Sequence, residues 1–279
     1  MNALHTHFER RPRAFTLVEV LVVVLIFAVL IALLLPAVSA ARASTRRIQC
    51  QANLRSIGQA LLAFESGRGR LPAGRDVRDD ANHSWATAIL PHLEEDALYA
   101  RYDNQRKWDD DGTGKAYDPP PGNDMPLAIS AVNQAPSPDP VVKDSNLRVA
   151  QTDVSVYQCP ETVRSFSGGI DYGGNYGSSL TGLPPGFNMN DVWDSGVLLS
   201  INMGHLETSR TRGIRLESVS DGTSHTFMVL EDAGRPAEQG GMWANGNNCF
   251  SNDWGEINAE RSNEIFSDHA RVAHALLAD

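Results

Sequence analysis

The chain begins with one long apolar stretch. Residues 14–38 contain a single acidic residue, Glu19, and no polar side chain lies between Val20 and Leu35. As a helix the stretch is roughly 36 Å long, at about 1.5 Å per residue, and a bilayer's hydrocarbon core is roughly 30 Å thick. Because the apolar core of a secretory signal is only about 7–15 residues, the pattern predicts a transmembrane helix.

The helix is predicted to continue beyond the apolar stretch. Large apolar residues then recur at spacings of three and four, which indicates one face of an amphipathic helix. The members of this stripe are Cys50, Leu54, Ile57, Leu61 and Phe64. The sequence therefore predicts one helix from about Phe15 to about Ser66, whose second half packs on a sheet and which ends at Gly67, Gly69 and Pro72.

The remaining chain predicts short elements. A helix is expected from about His92 to Tyr102, with Leu93, Ala97 and Leu98 facing inward. Residues 104–145 are rich in proline without periodicity and predict a surface excursion. Strands are predicted at Val154–Gln158, in 171–180, at Gly196–Ile201, and at 214–219 and 226–230 as a hairpin around Asp221-Gly222. Together these elements predict an α+β fold, with the long N-terminal helix packed on an antiparallel β-sheet that carries irregular insertions.

Charge and cysteine content narrow the possible partners. The formal net charge is −10, whereas nucleic-acid binding requires a basic surface, so no nucleic-acid partner is expected. Of Cys50, Cys159 and Cys249, two can form a disulfide and one is left over, and the sequence leaves the pairing open. The Cys-x-x-Cys spacing of redox and zinc sites is absent, so no metal or catalytic role is predicted for the cysteines.

The residues before and inside the apolar stretch resemble a known processing site. Arg10 and Arg11 precede Arg-Ala14-Phe15-Thr-Leu-Val-Glu19, which is similar to the site in type IV prepilins and type II secretion pseudopilins. The resemblance implies that a prepilin peptidase cuts between Ala14 and Phe15 and that the new Phe15 amine is methylated. Glu19 would then pair with the terminal amine of its own or a neighbouring subunit. The residue before the cut is usually glycine in that family, and here it is alanine.

Pro36 also fits the resemblance, because pilins often carry a proline that kinks the helix at this point. Arginines flank both ends of the apolar stretch, so charge alone does not orient it. The resemblance places residues 1–14 in the cytoplasm as a leader, 15–38 in the inner membrane and 39–279 outside as a pilin-like domain. The implied partners are the prepilin peptidase, membrane lipid, and copies of this chain or other pilins.

Later segments extend the resemblance. CQANLRSIGQALLAFES, SWATAILPHLEEDALYARYD, VYQCPE and VSDGTSHTFMVLED are similar to a bacterial family of prepilin-like proteins with a C-terminal His-x9-Asp-Gly signature. His269 and Asp279 take the His and Asp positions, and the glycine would follow Asp279. Where the family has Pro-Gly-Gly, this chain has Ala-Arg-Val, and the strand expected after the signature is missing.

Candidate chemical sites are few. Asp221-Gly222-Thr223-Ser224 has the residues of a tight turn, and the acidic run 109–112 is interpreted as a solvated turn rather than a calcium loop. His269 and His274 are five apart, which does not suit a metal pair on a helix, although His269 could bond Asp279. Five tryptophans could line a carbohydrate surface, but half-buried packing is the favoured interpretation: Trp85, Trp108, Trp193, Trp243 and Trp254.

The sequence therefore predicts no enzyme, no cofactor and no metal. It favours a processed subunit of a pilus- or pseudopilus-type filament. The alternative is a membrane-anchored protein that binds a glycan or calcium and does not polymerise.

Overall fold

The computed structural model describes most of the chain outside the predicted surface excursion. The described residues are 16–77, 81–110, 145–177, 196–201, 213–237, 240–251, 257–258, 265–269 and 272–279. The chain divides into two compact units, Met1–Thr45 and Arg46–Asp279. The second is called the C-terminal unit below.

The first element is a helix of 52 residues, α1, Leu17–Arg68. Its apolar first half is exposed within its own unit, and Pro36 lies inside the helix without ending it. The helix ends where Gly69 adopts a φ of +67° and donates its N–H to the carbonyl of Glu65 at 2.6 Å, a common way to close a helix. The predicted long helix is confirmed, two residues longer at its C-terminal end than expected.

The second half of α1 uses the predicted stripe. Cys50, Leu54, Ile57 and Leu61 are all buried, and Phe64 packs at the edge of the same core. The helix also contacts Tyr172 of the sheet directly, because the Tyr172 hydroxyl donates to the Cys50 carbonyl at 3.4 Å. Burial of the Leu54, Ile57 and Leu61 side chains contributes roughly 1.5–3 kcal/mol each, so this stripe holds the helix to the rest of the C-terminal unit.

The described residues of this unit form seven strands, β1 (Arg75–Asp76), β2 (His83–Ser84), β3 (Tyr172–Gly177), β4 (Ser200–Ile201), β5 (Phe227–Glu231), β6 (Cys249–Ser251) and β7 (Ala275–Leu277). These strands make two sheets. The larger has the strand order β6-β3-β5-β7, and the smaller has the order β2-β1-β4. Neighbours pair antiparallel except β3 with β6 and β1 with β4, which are parallel. The α+β, pilin-like architecture is therefore confirmed, with one parallel pair in each sheet.

Aromatic side chains fill the core behind the sheet. Trp85 and Trp243 are fully buried and Trp108 is 9 % exposed, so these three tryptophans do pack against the rest of the unit and are more deeply buried than predicted; Trp193 and Trp254 lie outside the described residues. Gly174 of β3 permits this packing, because a Cβ there would lie 2.9 Å from the Trp85 ring.

The predicted helix from His92 to Tyr102 is wrong in its bounds. The chain forms α2 (Trp85–Ile89), a 3-10 turn (Leu90–Leu93) and α3 (Asp96–Arg101). The break is at Glu94, whose φ is +63° and whose N–H closes the turn on the Leu90 carbonyl. This change of direction buries both Leu90 and Leu98 and leaves Ala97 exposed.

Two predicted strands are wrong. Residues 155–157 form a 3-10 turn, which directs Val154 and Tyr157 into the core together because side chains three apart share one face of such a turn. Residues 214–219 contain another 3-10 turn, Leu216–Ser218. The predicted hairpin cannot form there because both edges of β5 are taken by β3 and β7.

The predicted strand Gly196–Ile201 is shorter than expected. Only β4 pairs, while Val197, Leu198 and Leu199 are buried without strand structure. Another short helix, α4 (Asn146–Ala150), was not predicted; its first turn is capped by the Ser145 hydroxyl.

Candidate functional site

The first turn of α1 contains a reciprocal hydrogen-bonded pair. The N–H and the hydroxyl of Thr16 both donate to Glu19 Oε2, at 2.9 and 2.8 Å, and the Glu19 N–H donates to the Thr16 hydroxyl at 3.3 Å. This is a capping box, in which a Thr and a Glu three residues later satisfy each other's backbone donors. The sequence analysis missed this pair, although its spacing was the available signal. Ala14 and Phe15 lie outside the described residues.

The side chains that follow form a continuous apolar surface. Nearly every large residue from Leu17 to Leu35 is about half exposed or more within its unit. Among the described residues, this is the one helix long and apolar enough to cross a membrane. Pro36 removes the hydrogen bond that the Ala32 carbonyl would otherwise accept; the predicted kink stays a prediction.

The predicted turn at Asp221-Gly222-Thr223-Ser224 lies on the surface of the C-terminal unit. Gly222 has a φ of +85°, which favours glycine. The carbonyl of Thr223 accepts the Ala278 N–H at 3.1 Å. The turn therefore holds the segment that follows β7, which gives its residues a structural role.

The two halves of the predicted His-Asp signature are not brought together. His269 is buried, whereas Asp279 is exposed, and the described residues contain no hydrogen bond between them. The expected His269–Asp279 bond is wrong because the ring of His269 faces Cys159 and Glu231 instead.

The surroundings of His269 form a buried polar cluster, made by Cys50, Cys159, Glu231 and His269. Cys50 and Cys159 form a disulfide with Cα atoms 5.2 Å apart. His269 Nε2 lies 3.4 Å from Cys159 Sγ and 3.7 Å from Glu231 Oε1. All four residues are at most 6 % exposed, so the cluster is closed to bulk water.

The neighbours of the cluster fix its orientation. Glu231 Oε2 accepts the backbone N–H of His274 at 2.8 Å and lies 3.0 Å from its Nδ1. On α1, Arg47 Nε is 3.3 Å from His274 Nε2. Arg46 forms an ion pair with Glu161, and the hydrogen bond from that guanidinium lowers the pKa of the Glu161 carboxyl. Helix α1, β5, His269 and His274 are thus joined through one network.

The sequence did not indicate this cluster. Its members come from α1, the segment after the 155–157 turn, β5 and the segment before β7, so no local spacing reveals them.

In the acidic run 109–112, Asp110 pairs with Arg106 at 2.9 Å, and residues 111–112 lie outside the described residues.

Cys249 is the free thiol, and we expect it to be inert. It is 5 % exposed, its Sγ donates to the Leu198 carbonyl at 3.0 Å, and burial raises the pKa of the thiol well above its usual range. Because the thiolate is the reactive form, iodoacetamide at pH 8 should modify the folded oxidised chain at least about 100-fold more slowly than the denatured chain. Mass spectrometry of the alkylated peptide measures both rates; equal rates would show that Cys249 is accessible.

Two family models match the chain. Residues 10–35 match a model described as "Prokaryotic N-terminal methylation motif", which contains the prepilin-type site and Glu19. Residues 39–279 match a model described as "Protein of unknown function (DUF1559)". No curated protein and no solved structure matches the chain. The motif and the apolar helix identify a membrane-anchored, prepilin-like protein, and because the second match covers well over half of its length, the chain belongs to the DUF1559 family.

Proposed function

We propose that this protein is a pilin-like subunit that is processed between Ala14 and Phe15 and then assembled into a pilus- or pseudopilus-type filament through its apolar helix. Prepilin peptidase is the proposed processing enzyme, and the Phe15 amine is the proposed site of methylation. Before assembly, the leader is cytoplasmic and the C-terminal unit extracytoplasmic. The observation that carries the proposal is that the matched methylation motif coincides with the exposed apolar half of α1.

The position of Glu19 supports assembly rather than simple anchoring. A carboxylate inside a membrane helix costs about 2.5–3.5 kcal/mol on insertion scales, and valine or leucine would anchor the chain without that cost. The capping box holds Glu19 beside the backbone N–H of Thr16. Cleavage before Phe15 creates an ammonium group one residue away, and a neighbouring subunit offers a second one.

The exposed apolar surface has two possible environments. It contacts lipid while the subunit is in the membrane, and it contacts other apolar helices in a filament. Because lipid tails are as apolar as leucine, the exchange is not driven by hydrophobic burial. Assembly machinery is therefore part of the proposal.

A structural rather than enzymatic role agrees with the C-terminal unit. The turn at Asp221–Ser224 serves backbone contacts, and the described tryptophans are buried in the core. These tryptophans do not form a surface on which a glycan could stack, which weakens the alternative of an anchored glycan-binding protein.

The test replaces Glu19 by valine. We expect the wild-type protein recovered from cells to begin at methylated Phe15. The Glu19→Val protein should be cut at the same bond but appear in sheared filament fractions at least about ten-fold less, because the subunit lacks the group that matches a terminal amine. Mass spectrometry of the N-terminal peptide and quantitative blotting of sheared and membrane fractions give the two readouts.

Glu65→Val is the matched control, since it makes the same change near the other end of α1. It should be cut and assembled like wild type. If the wild-type protein keeps residues 1–14, the processing proposal is wrong. If Glu19→Val is cut and assembles normally, the proposed role of Glu19 in assembly is wrong. If wild type never leaves the membrane fraction, the chain is an anchored protein that does not polymerise.

A further inference from the structure

We propose that Cys50, Cys159, Glu231 and His269 form a binding site for a thiolate-preferring divalent cation of the zinc class when the two cysteines are reduced. The disulfide and the metal-bound dithiolate would be alternative states of the same buried cluster. This inference is independent of filament assembly, and it differs from the sequence prediction of no metal.

The distances in the cluster fit a tetrahedral site. Ligand atoms that lie about 2.0–2.3 Å from Zn²⁺ are roughly 3.3–3.8 Å from one another at the corners of a tetrahedron. His269 Nε2 is 3.4 Å from Cys159 Sγ and 3.7 Å from Glu231 Oε1. All four ligand atoms lie within 4.8 Å of one another. The two sulfur atoms must move apart, and reduction of their bond allows this movement.

The state of Glu231 is an independent indication of a cation. Its side chain is 1 % exposed, and its Oε1 is buried without a hydrogen-bond partner. A buried carboxylate oxygen without a partner is unfavourable. This oxygen points to the histidine and the sulfur atoms, where a cation would compensate its charge.

The other oxygen of Glu231 is held by His274, through its backbone N–H and its Nδ1. Such an outer contact fixes the direction of a metal ligand.

The net charge of the ligands also suits a divalent cation. Two thiolates, one carboxylate and Zn²⁺ leave a net charge of about −1, and Arg47 lies next to His274 on the α1 side.

The conversion between the metal-bound dithiolate and the disulfide balances in protons and electrons. The thiols are the form in which the chain is made; on binding Zn²⁺ they lose two protons and become thiolates. A small-molecule disulfide can later oxidise the pair through thiol–disulfide exchange. The two thiolates then lose two electrons and form the Cys50–Cys159 bond, the oxidant takes up these electrons with two protons and becomes two thiols, and the cation is released.

The experiment uses the full chain in detergent with the substitution Cys249→Ser, so that only two thiols remain. After reduction with a phosphine and removal of metal, Co²⁺ is titrated. We expect thiolate-to-cobalt charge-transfer absorption that saturates at one Co²⁺ per chain and disappears when Zn²⁺ displaces the cobalt. The oxidised protein should give no such absorption. His269→Ala should weaken Co²⁺ binding by at least roughly 100-fold and Glu231→Gln by at least roughly ten-fold, while His92→Ala, at an exposed histidine, should leave it unchanged.

Circular dichroism of the same samples covers the case in which the reduced chain unfolds, because one equivalent of Co²⁺ or Zn²⁺ should then restore the folded signal. The proposal is overturned if the reduced protein gives no charge-transfer absorption and no metal-dependent refolding. It is equally overturned if the oxidised protein, or a Cys50→Ser/Cys159→Ser double variant, binds Co²⁺ as tightly, or if His269→Ala binds it like His92→Ala.

Discussion

Replacing both Cys50 and Cys159 by alanine should lower the free energy of unfolding of the C-terminal unit by about 4–5 kcal/mol. The disulfide joins residues 109 positions apart, and a link of this length removes much of the freedom of the unfolded chain. It also connects the helix α1 to the segment before β3, so the loss should affect the packing of the whole unit. Urea unfolding of the full chain in detergent, followed by tryptophan fluorescence with a chelator present, measures the change.

Cys249→Ala is the matched control for that experiment. Cys249 is as buried as the paired cysteines but has no covalent partner, so its replacement should cost only about 1 kcal/mol. The chelator matters, because a metal bound by remaining ligands would stabilise the folded state by mass action. If the double variant loses no more stability than Cys249→Ala, the disulfide is not what holds α1 to the sheet.

Long, uniform patterns were predictable from the sequence. Helix α1 was predicted within about two residues at its C-terminal end because its apolar run and the stripe that begins at Cys50 extend over many turns, and summed evidence of this kind outweighs local preferences. Strand β3 was also predicted, from the glycine- and tyrosine-rich segment 171–180; in the structure, Gly174 of this strand lies against Trp85.

Short patterns were not predictable in the same way. Val154 and Val156 alternate like strand residues, but three residues do not distinguish a strand from a 3-10 turn. The chain forms the 3-10 turn rather than a strand because Tyr157 can then bury its ring and donate its hydroxyl to the Ala86 carbonyl at 2.8 Å. That partner is 71 residues away in sequence, so no local pattern reports it.

The same distinction, between contiguous sequence patterns and contacts of residues far apart in sequence, applies to the candidate sites. Phe15 and Glu19 were singled out because they belong to a contiguous motif, and contiguous motifs are visible in sequence. The cluster around His269 was missed because its four side chains meet only after α1, β5 and the C-terminal segment have packed. The sequence did single out His269, but the partner it suggested, Asp279, proved to be exposed.

Asp171→Ala should be the most damaging single substitution in the C-terminal unit, with an expected loss of about 3–5 kcal/mol in the free energy of unfolding. Asp171 is fully buried. It forms an ion pair with Arg164 and accepts the N–H of Cys159 at 2.5 Å and that of Gly234 at 3.4 Å. Alanine would leave the mostly buried Arg164 guanidinium without this carboxylate and would remove the acceptor for Cys159.

Two further variants separate these effects in the same urea experiment. Asp171→Asn keeps an oxygen that can accept the Cys159 N–H. The difference in the free energy of unfolding between the Asn and Ala variants therefore measures the contribution of this hydrogen bond, and the loss of stability that both variants share measures the contribution of the negative charge. Asp221→Ala, at an exposed turn, should change stability by no more than about 0.5 kcal/mol. If Asp171→Ala behaves like Asp221→Ala, the buried ion pair contributes little net stability, because the cost of desolvating Asp171 and Arg164 then equals what their attraction returns.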